Sequence, residues 1–350
     1  MPNIMFVTAS VNRGGASRVI SILANHYSKM GWNVIFVIKE KIIKGYELDG
    51  HVKIIECGNE NMSHGYKFLR KLKQIIKLEN PNIVISFLTI VNLYSIVACV
   101  GKRKLIISER NDPKLSASGW QFEMSKLLYP LADGIVFQSQ KVKGYYSDKA
   151  KRRGYVILNP ISVTKHKHIF EEKKKIVTAG RFVKQKNHAM LIDAFANVRH
   201  RHDDYKLYIY GDGELRKDYE KQIDEYGIQE SIILPGNVPN IHDEIADSQI
   251  FVISSDYEGL SNSLLEAMAM GIACISTRSG GAEEIIEDHK NGLLVDVGNK
   301  EQMITAIEEL IADKELREYL QINALETSKR FLEDNVISEW ENAISKVIGK

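Results

Sequence analysis

Two glutamates, Glu258 and Glu266, stand with seven residues between them in the stretch SSDYEGLSNSLLEAMAMGIACISTRSGGAEE, Ser254 to Glu284. A carboxylate accepts two hydrogen bonds at once, so each suits a vicinal diol. Between them, Gly259 to Ser263 reads as a turn into a helix, with Ser and Asn able to cap its start. Backbone N–H groups near Leu260, Ser261, Asn262, Ser263 and Leu264 would point at an anion there. Two carboxylates would repel a phosphate set directly beside them. Hydroxyls flanking a phosphate on both sides remove that conflict and describe a nucleotide sugar: ribose, diphosphate, sugar. The competing reading of the two glutamates is a merely solvated surface.

The second chemical signal is cationic. Lys175-Ile-Val-Thr-Ala-Gly180 reads as a strand, and Arg181-Phe-Val-Lys-Gln-Lys186 follows before a helix from about Asn187 to Val198. Arg181 and Lys186 are placed to clamp a diphosphate, Arg as a bidentate fork and Lys as a point charge; a solvated turn is the alternative. In the first half, Asn3 to Thr8 reads as a strand, and VNRGGASR (Val11 to Arg18) as a turn into a helix. Gly14 and Gly15 there let the backbone approach a ligand closely. The spacing is not G-x-G-x-x-G, so no dinucleotide fingerprint is present. Asp256-Tyr-Glu258 has the look of a metal-binding D-x-D variant, but no second carboxylate cluster supports a metal. His166 and His168 lie in the linker between the two halves and are not read as metal ligands.

The elements that position these groups alternate. Gln249 to Ile253 and Ile272 to Ser276 are short apolar, β-rich runs, too short for helices. Leu264 to Met270 is composed of good helix formers and is stopped by Gly271, and Gly280-Gly281 reads as another turn into a helix. Strand, turn, helix in repetition is the unit of a parallel α/β sheet. Further strands are expected at Asn33 to Ile38, Pro81 to Ser86, Leu105 to Ser108, Gly134 to Gln138 and Lys206 to Tyr210. Two helical stretches close the chain, the second broken near Phe331.

Length and charge divide the chain in two. At 350 residues, a prior of about 150 residues per domain gives two domains. The net charge of +2 conceals an asymmetry: residues 1–165 carry 25 Lys and Arg against 11 Asp and Glu, and residues 166–350 carry 22 against 34. A basic half is drawn to an anionic partner, or else it complements the acidic half. Tyr66 to Leu78 is a basic helix with Phe68, Leu69, Leu72, Ile75 and Ile76 at helical spacing, suited to a sheet face or to a membrane surface. Lys141 to Arg153 is a second basic segment. The three cysteines, Cys57, Cys99 and Cys274, are widely separated and imply neither a disulfide framework nor a metal site. No apolar run reaches about 18 residues, and MPNIMFVTAS reads as a first strand, so a cytoplasmic protein is expected.

The second half resembles the retaining glycosyltransferases of family four. The matching pieces come in the family's order: GRFVKQKN (Gly180 to Asn187), YGDGEL (Tyr210 to Leu215), the two glutamates, STRSGGAEEII (Ser276 to Ile286) and NGLLV (Asn291 to Val295). They cover about residues 174–325; the first half matches mainly through VNRGGASRV. The resemblance implies an α/β architecture of two Rossmann-like domains facing each other across a cleft (GT-B). Residues 1–165 would bind the acceptor and 166–325 the nucleotide sugar, with 326–350 a C-terminal helix crossing back to the first domain. Arg181 and Lys186 would bind the diphosphate, Glu258 the donor sugar and Glu266 the ribose. Val238 would meet the base through its backbone, and Gly14 and Gly15 would approach the donor phosphate. Many relatives carry a histidine after a first-domain strand; the corresponding turn here is Ser108-Glu-Arg-Asn-Asp-Pro113, leaving Glu109, Arg110 and Asn111 as acceptor-side candidates.

The implied activity is retaining, metal-independent transfer of a hexosyl-type sugar, with Arg181, Lys186 and Glu258 as the catalytic set. The donor would be a nucleotide-diphosphate sugar, UDP being the expected carrier. The acceptor would be a glycan or lipid-linked glycan of cell-envelope polysaccharide, such as lipopolysaccharide or O-antigen. No cofactor and no nucleic-acid partner is expected, and the basic half would hold the protein peripherally at the inner face of the cell membrane. The rival readings are a non-catalytic sugar-nucleotide-binding subunit and a nucleotide-sugar epimerase.

Overall fold

Runs such as Asn3–Thr8 (NIMFVT) are apolar at consecutive positions, the signature of strands covered on both faces. In the computed structural model, which describes residues 2–10, 15–40, 46–58, 65–110, 112–161 and 173–349, such strands build two separate parallel sheets. The chain divides into unit 1, Met1–Pro160 with Asp334–Lys350, and unit 2, Ile161–Glu333.

Unit 1 contains β1 (Asn3–Thr8), β2 (Asn33–Ile38), β3 (Lys53–Glu56), β4 (Ile83–Phe87), β5 (Lys104–Glu109), β6 (Gly134–Phe137) and β7 (Gly154–Val156). They lie in the order β3-β2-β1-β4-β5-β6-β7, and each described pairing is parallel. One face is covered by the helices Gly65–Glu79, Thr89–Cys99 and Gly119–Leu128, with Phe68, Leu72, Ile96 and Phe122 in its core. The other face is covered by Gly15–Lys29 and by the last helix of the chain, Glu333–Ile348. That last helix buries Val336, Ile337, Trp340, Ala343, Ile344 and Val347, one stripe at helical period. The Trp340 ring stacks on Phe87 at 5.7 Å.

Unit 2 contains β8 (Lys173–Ala179), β9 (Lys206–Tyr210), β10 (Ile232–Gly236), β11 (Ser248–Ile253), β12 (Ala273–Thr277) and β13 (Leu293–Val295), in the order β10-β9-β8-β11-β12-β13. The order reverses direction between β8 and β11, as it does in unit 1 between β1 and β4. In open parallel sheets, ligands bind outside the strand ends at such a switch point.

Three boundaries differ from the sequence reading. The units part at Pro160 and Ile161, next to the Asn159-Pro160 pair, rather than at residue 165; residues 162–172 lie outside the described residues. Residue 325 falls inside the helix Lys314–Ser328, which belongs to unit 2. A 3₁₀ turn, Lys329–Phe331, separates it from the helix that joins unit 1. Gly280-Gly281 opens only a 3₁₀ turn, Gly280–Glu284, not an α-helix. Gly280 has φ 59°, and two glycines at a start give the helix little support.

Candidate active site

The loop after β8 and the loop after β11 leave neighbouring strands at the switch point, and direct contacts tie them together. Asp256 N–H donates to the Gln185 carbonyl (2.9 Å), and Gln185 Nε2 donates to the Tyr257 carbonyl (2.9 Å). Asn187 Nδ2 donates to Asp256 Oδ1 (2.7 Å), and Ser254 Oγ donates to the Lys186 carbonyl (2.9 Å). Asp256, which looked like half of a metal motif, therefore serves as a strut between the loops. Asn187 adopts the left-handed conformation (φ 45°), which Asn tolerates, and its side chain caps the helix His188–Arg199 by accepting from Met190 N–H.

This lacing brings Lys186 and Glu258 into contact. Lys186 Nζ lies 2.6 Å from Glu258 Oε2, both side chains being mostly buried. Ser255 Oγ donates to the same oxygen at 3.0 Å. Arg181, at the end of the same strand, is exposed to solvent. His188, next to Lys186, is buried against Phe182 and Tyr219. Burial, aided by the Lys186 charge, pushes its imidazole down to about 4, so it stays neutral at physiological pH.

Glycines set how close the loops come. A Cβ on Gly280 would lie 1.8 Å from the Glu258 carbonyl oxygen, and one on Gly281 would lie 2.3 Å from that of Gly259. Gly281 N–H donates to the Gly259 carbonyl at 2.5 Å. The Gly-Gly pair thus fits flush against the Glu258 loop. Gly280→Ala is expected to lower kcat about 10²-fold, the loss that follows displacing a reacting group by an ångström, with the melting temperature separating this from unfolding. Wild-type kcat in a folded Gly280→Ala protein would show that the packing is not needed.

The helix Asn262–Met270 starts at Ser261, whose Oγ accepts from Leu264 N–H (3.4 Å), and ends at Gly271 in the left-handed conformation. Ser261 and Ser263 exchange a hydroxyl hydrogen bond at 3.0 Å, and Ser263 Oγ also donates to the Ala179 carbonyl at 3.3 Å, fastening this helix start to β8. Leu260 and Leu264 are buried, and Asn262 and Ser263 are half-buried. Glu266 lies one turn into the helix. Its Oε2 is 3.2 Å from His242 Nε2, on the short helix Ile241–Ile245. The sequence reading missed His242 and Asn187, whose partners lie 24 and 69 positions away, and Ser255, whose partner Glu258 is only three positions on but faces it only through the fold of the loop. Val238, half-buried, sits just beyond β10.

The first-domain candidates fall differently. Gly15 is the first residue of its helix; Gly14 and Asn111 lie outside the described residues. Glu109 and Arg110 do not present their charges outward. Glu109 is buried, with Thr89 Oγ1 donating to both its oxygens (3.1 and 2.9 Å) and Tyr129 OH to Oε2 (2.5 Å). Arg110 is buried too, donating to the Ile157 carbonyl (3.1 Å) and to Asn159 Oδ1. Burial pushes its guanidinium down to about 9 despite the neighbouring Glu109. These side chains turn inward because the helix Thr89–Cys99, the 3₁₀ turn at Tyr129 and the segment just after β7 supply the partners.

A carboxylate and an ammonium are thus paired at a sheet switch point, beside a capped helix start. The family model for glycosyl transferases group 1 matches residues 162–327, and that for glycosyltransferase family 4 matches residues 13–165. The chain belongs to the family four glycosyltransferases. Within the family it is 28% identical, over 99% of each chain, to the Campylobacter jejuni enzyme described as GalNAc-alpha-(1->4)-GalNAc-alpha-(1->3)-diNAcBac-PP-undecaprenol alpha-1,4-N-acetyl-D-galactosaminyltransferase. It is 26% identical, over 90% of each chain, to the lipopolysaccharide core biosynthesis glycosyltransferase LpsE of Rhizobium meliloti. Among solved structures it superposes on Anabaena HepE in complex with UDP with a TM-score of 0.83 at 17% identity, covering 99% of this chain and 100% of that one. The two parallel-sheet domains are thus those of the GT-B fold, and this family member is a glycosyltransferase.

Proposed function

We propose that this chain transfers a sugar, with retention and without a metal, from a nucleotide-diphosphate donor to a lipid-linked glycan during cell-envelope polysaccharide synthesis. UDP is the carrier this reading favours, HepE having been solved with it. The acceptor class follows from the Campylobacter jejuni relative, whose name carries an undecaprenol-linked glycan, and from the lipopolysaccharide core enzyme. The observation that carries the proposal is the Lys186–Glu258 pair at the β8–β11 switch point.

In this reading, breaking the sugar–phosphate bond leaves charge on the nucleoside diphosphate. Arg181, Lys186 and the N-terminus of the Asn262–Met270 helix are aimed where that charge grows. A diphosphate that shares the Lys186 ammonium frees Glu258 Oε2 for the donor sugar's hydroxyls. The acceptor hydroxyl attacks on the leaving-group face, and its proton passes to the departing phosphate oxygen. Glu266, steadied by His242, takes the ribose, with Val238 beside the base. The ribose is remote from the reacting carbon, so its hydrogen bonds are equal in ground and transition states. Glu266→Ala is accordingly expected to raise donor KM with little change in kcat, and Glu258→Ala to depress kcat. Steady-state kinetics with varied donor decide it; the opposite split would reverse the two roles.

Among the described residues, no group of three or more His, Cys, Asp or Glu is arranged to hold a metal ion. Turnover is expected to survive EDTA; loss on chelation, restored by Mg²⁺ or Mn²⁺, would overturn the metal-independent mechanism. The proposal as a whole is tested with a panel of nucleotide sugars and lipid-linked acceptors, the product anomer being assigned by NMR. Turnover of donor alone into an isomer would favour an epimerase, and binding without transfer a non-catalytic subunit.

The same proposal places the protein peripherally at the inner face of the cell membrane. No described helix is long and apolar enough to cross a membrane. Of the basic segment Lys141 to Arg153, Lys143 donates to the Gly154 carbonyl and Arg153 to those of Pro130 and Ala132, so these two cations serve the fold. The Gly65–Glu79 helix turns Lys67, Arg70, Lys73 and Lys77 outward, and these support the attachment.

A further inference from the structure

The helix Gly119–Leu128 buries Phe122 and Ser125 and is followed directly by buried Tyr129. Its opposite side carries Trp120, Met124 and Leu127, with Leu131 one step beyond, exposed by 59%, 38%, 68% and 44%. At 100° per residue Trp120, Met124 and Leu127 fall within an arc of about 60°, and Leu131 ends the 3₁₀ turn Tyr129–Leu131 that follows the helix. Amphipathic helices of a folded domain put such a stripe inward; this one has a second apolar stripe facing out. The stripe continues onto the neighbouring helix Thr89–Cys99, where Val97 is exposed, and onto Val100 just past its end. A groove of about 340 Å³ joins Val100 to Leu131. A second groove, of about 750 Å³, lies between the helices Gly65–Glu79 and Thr89–Cys99 and takes in Tyr66, Leu69 and Ala98.

Cations rim this surface. Lys102 and Arg103 line both grooves, Lys104 the smaller, and Arg70, Lys73 and Lys77 the larger. Carboxylates at this surface are matched with lysines, Glu123 with Lys126 at 2.8 Å, Asp133 with Lys104 at 3.4 Å and Glu79 with Lys53 at 2.7 Å. An exposed apolar stripe with an indole, bounded by a belt of cations, has the composition of an interfacial membrane anchor: the apolar part enters the acyl boundary and the cations meet lipid phosphates. A second copy of the chain fits poorly. A two-fold contact sets a patch against itself, so the cationic rim would face a cationic rim.

We propose that the stripe Trp120, Met124, Leu127 and Leu131, with Val97 and Val100, is the part of unit 1 that enters an anionic lipid surface. This rests on the peripheral attachment proposed above and deepens it. Charge on the Gly65–Glu79 helix draws the protein to the surface, and the Gly119–Leu128 stripe holds it there. Attraction by charge is screened by salt, whereas burial of apolar side chains is not.

The test uses the full chain and vesicles of phosphatidylcholine, alone or mixed with phosphatidylglycerol. The wild type is expected to float with the anionic vesicles and to retain part of that binding at high salt. Trp120 fluorescence should shift to the blue and be quenched by lipids brominated on the acyl chains, a response lost in Trp120→Phe. Trp120→Glu/Leu127→Glu is expected to lower partitioning at least tenfold and to abolish the salt-resistant part, while nucleotide binding and melting temperature stay as in the wild type. Equal flotation of wild type and double variant, without quenching, would overturn the stripe and leave peripheral attachment standing. No flotation of the wild type would overturn both. Loss of a wild-type dimer in the double variant would reassign the surface to self-association.

Discussion

Lys186→Ala and Arg181→Ala are each expected to lower kcat by on the order of 10²–10³, the loss seen when one donor to a developing oxyanion is removed. The bound diphosphate is already anionic and gains further charge as the bond breaks, so kcat should fall and kcat/KM should fall at least as far. The structure adds a complication for Lys186. Its ammonium is also the partner of the mostly buried Glu258 carboxylate, 2.6 Å away, and removing it leaves that carboxylate without its cation. A double-mutant cycle separates the two effects. If Lys186 acts only by holding Glu258, then Lys186→Ala costs no more in a Glu258→Gln background. If it also meets the diphosphate, the double variant loses a further factor. Arg181 is exposed, and among the described residues it forms no ion pair, so it is the cleaner probe. Unchanged kcat in both single variants would sink the cationic clamp.

Trp340→Ala is expected to destabilise unit 1 by about 3–5 kcal/mol, the range for removing a fully buried large aromatic. Trp340 has no exposed surface and stacks on Phe87, and it sits among Phe6, Phe36 and Ile85 of the sheet core. Its helix ends the chain, yet packs on strands from the first ninety residues. The loss should appear as an earlier unfolding transition in urea, followed by near-ultraviolet circular dichroism. Trp120→Ala is the control. Trp120 is 59% exposed, and its removal should change stability by no more than about 0.5 kcal/mol. A cost below about 1 kcal/mol for Trp340→Ala would mean that the last helix is not part of the unit 1 core.

The amino-acid sequence by itself determined the pieces whose causes are local. Apolar β-rich runs specified the sheets, because strands covered on both faces need no alternation. Ser261 as cap and Gly271 as stop bounded the Asn262–Met270 helix, since both act within one turn of it. The spacing of Glu258 and Glu266 was legible for the same reason: a strand end, a turn and a helix start follow one another directly. Tertiary structure alone decided which side chains meet. Lys186 and Glu258 lie 72 positions apart and touch because β8 and β11 are neighbours at the switch point. His242 reaches Glu266 across a loop and a strand. Glu109 and Arg110, polar residues at a strand end, would read as surface. They turn inward because Thr89, Tyr129 and Asn159 supply buried partners 20 to 49 positions away. The outward stripe on Gly119–Leu128 is of the same kind. Phe122 on one side of that helix and Trp120, Met124 and Leu127 on the other are all apolar, and only packing settles which side is covered.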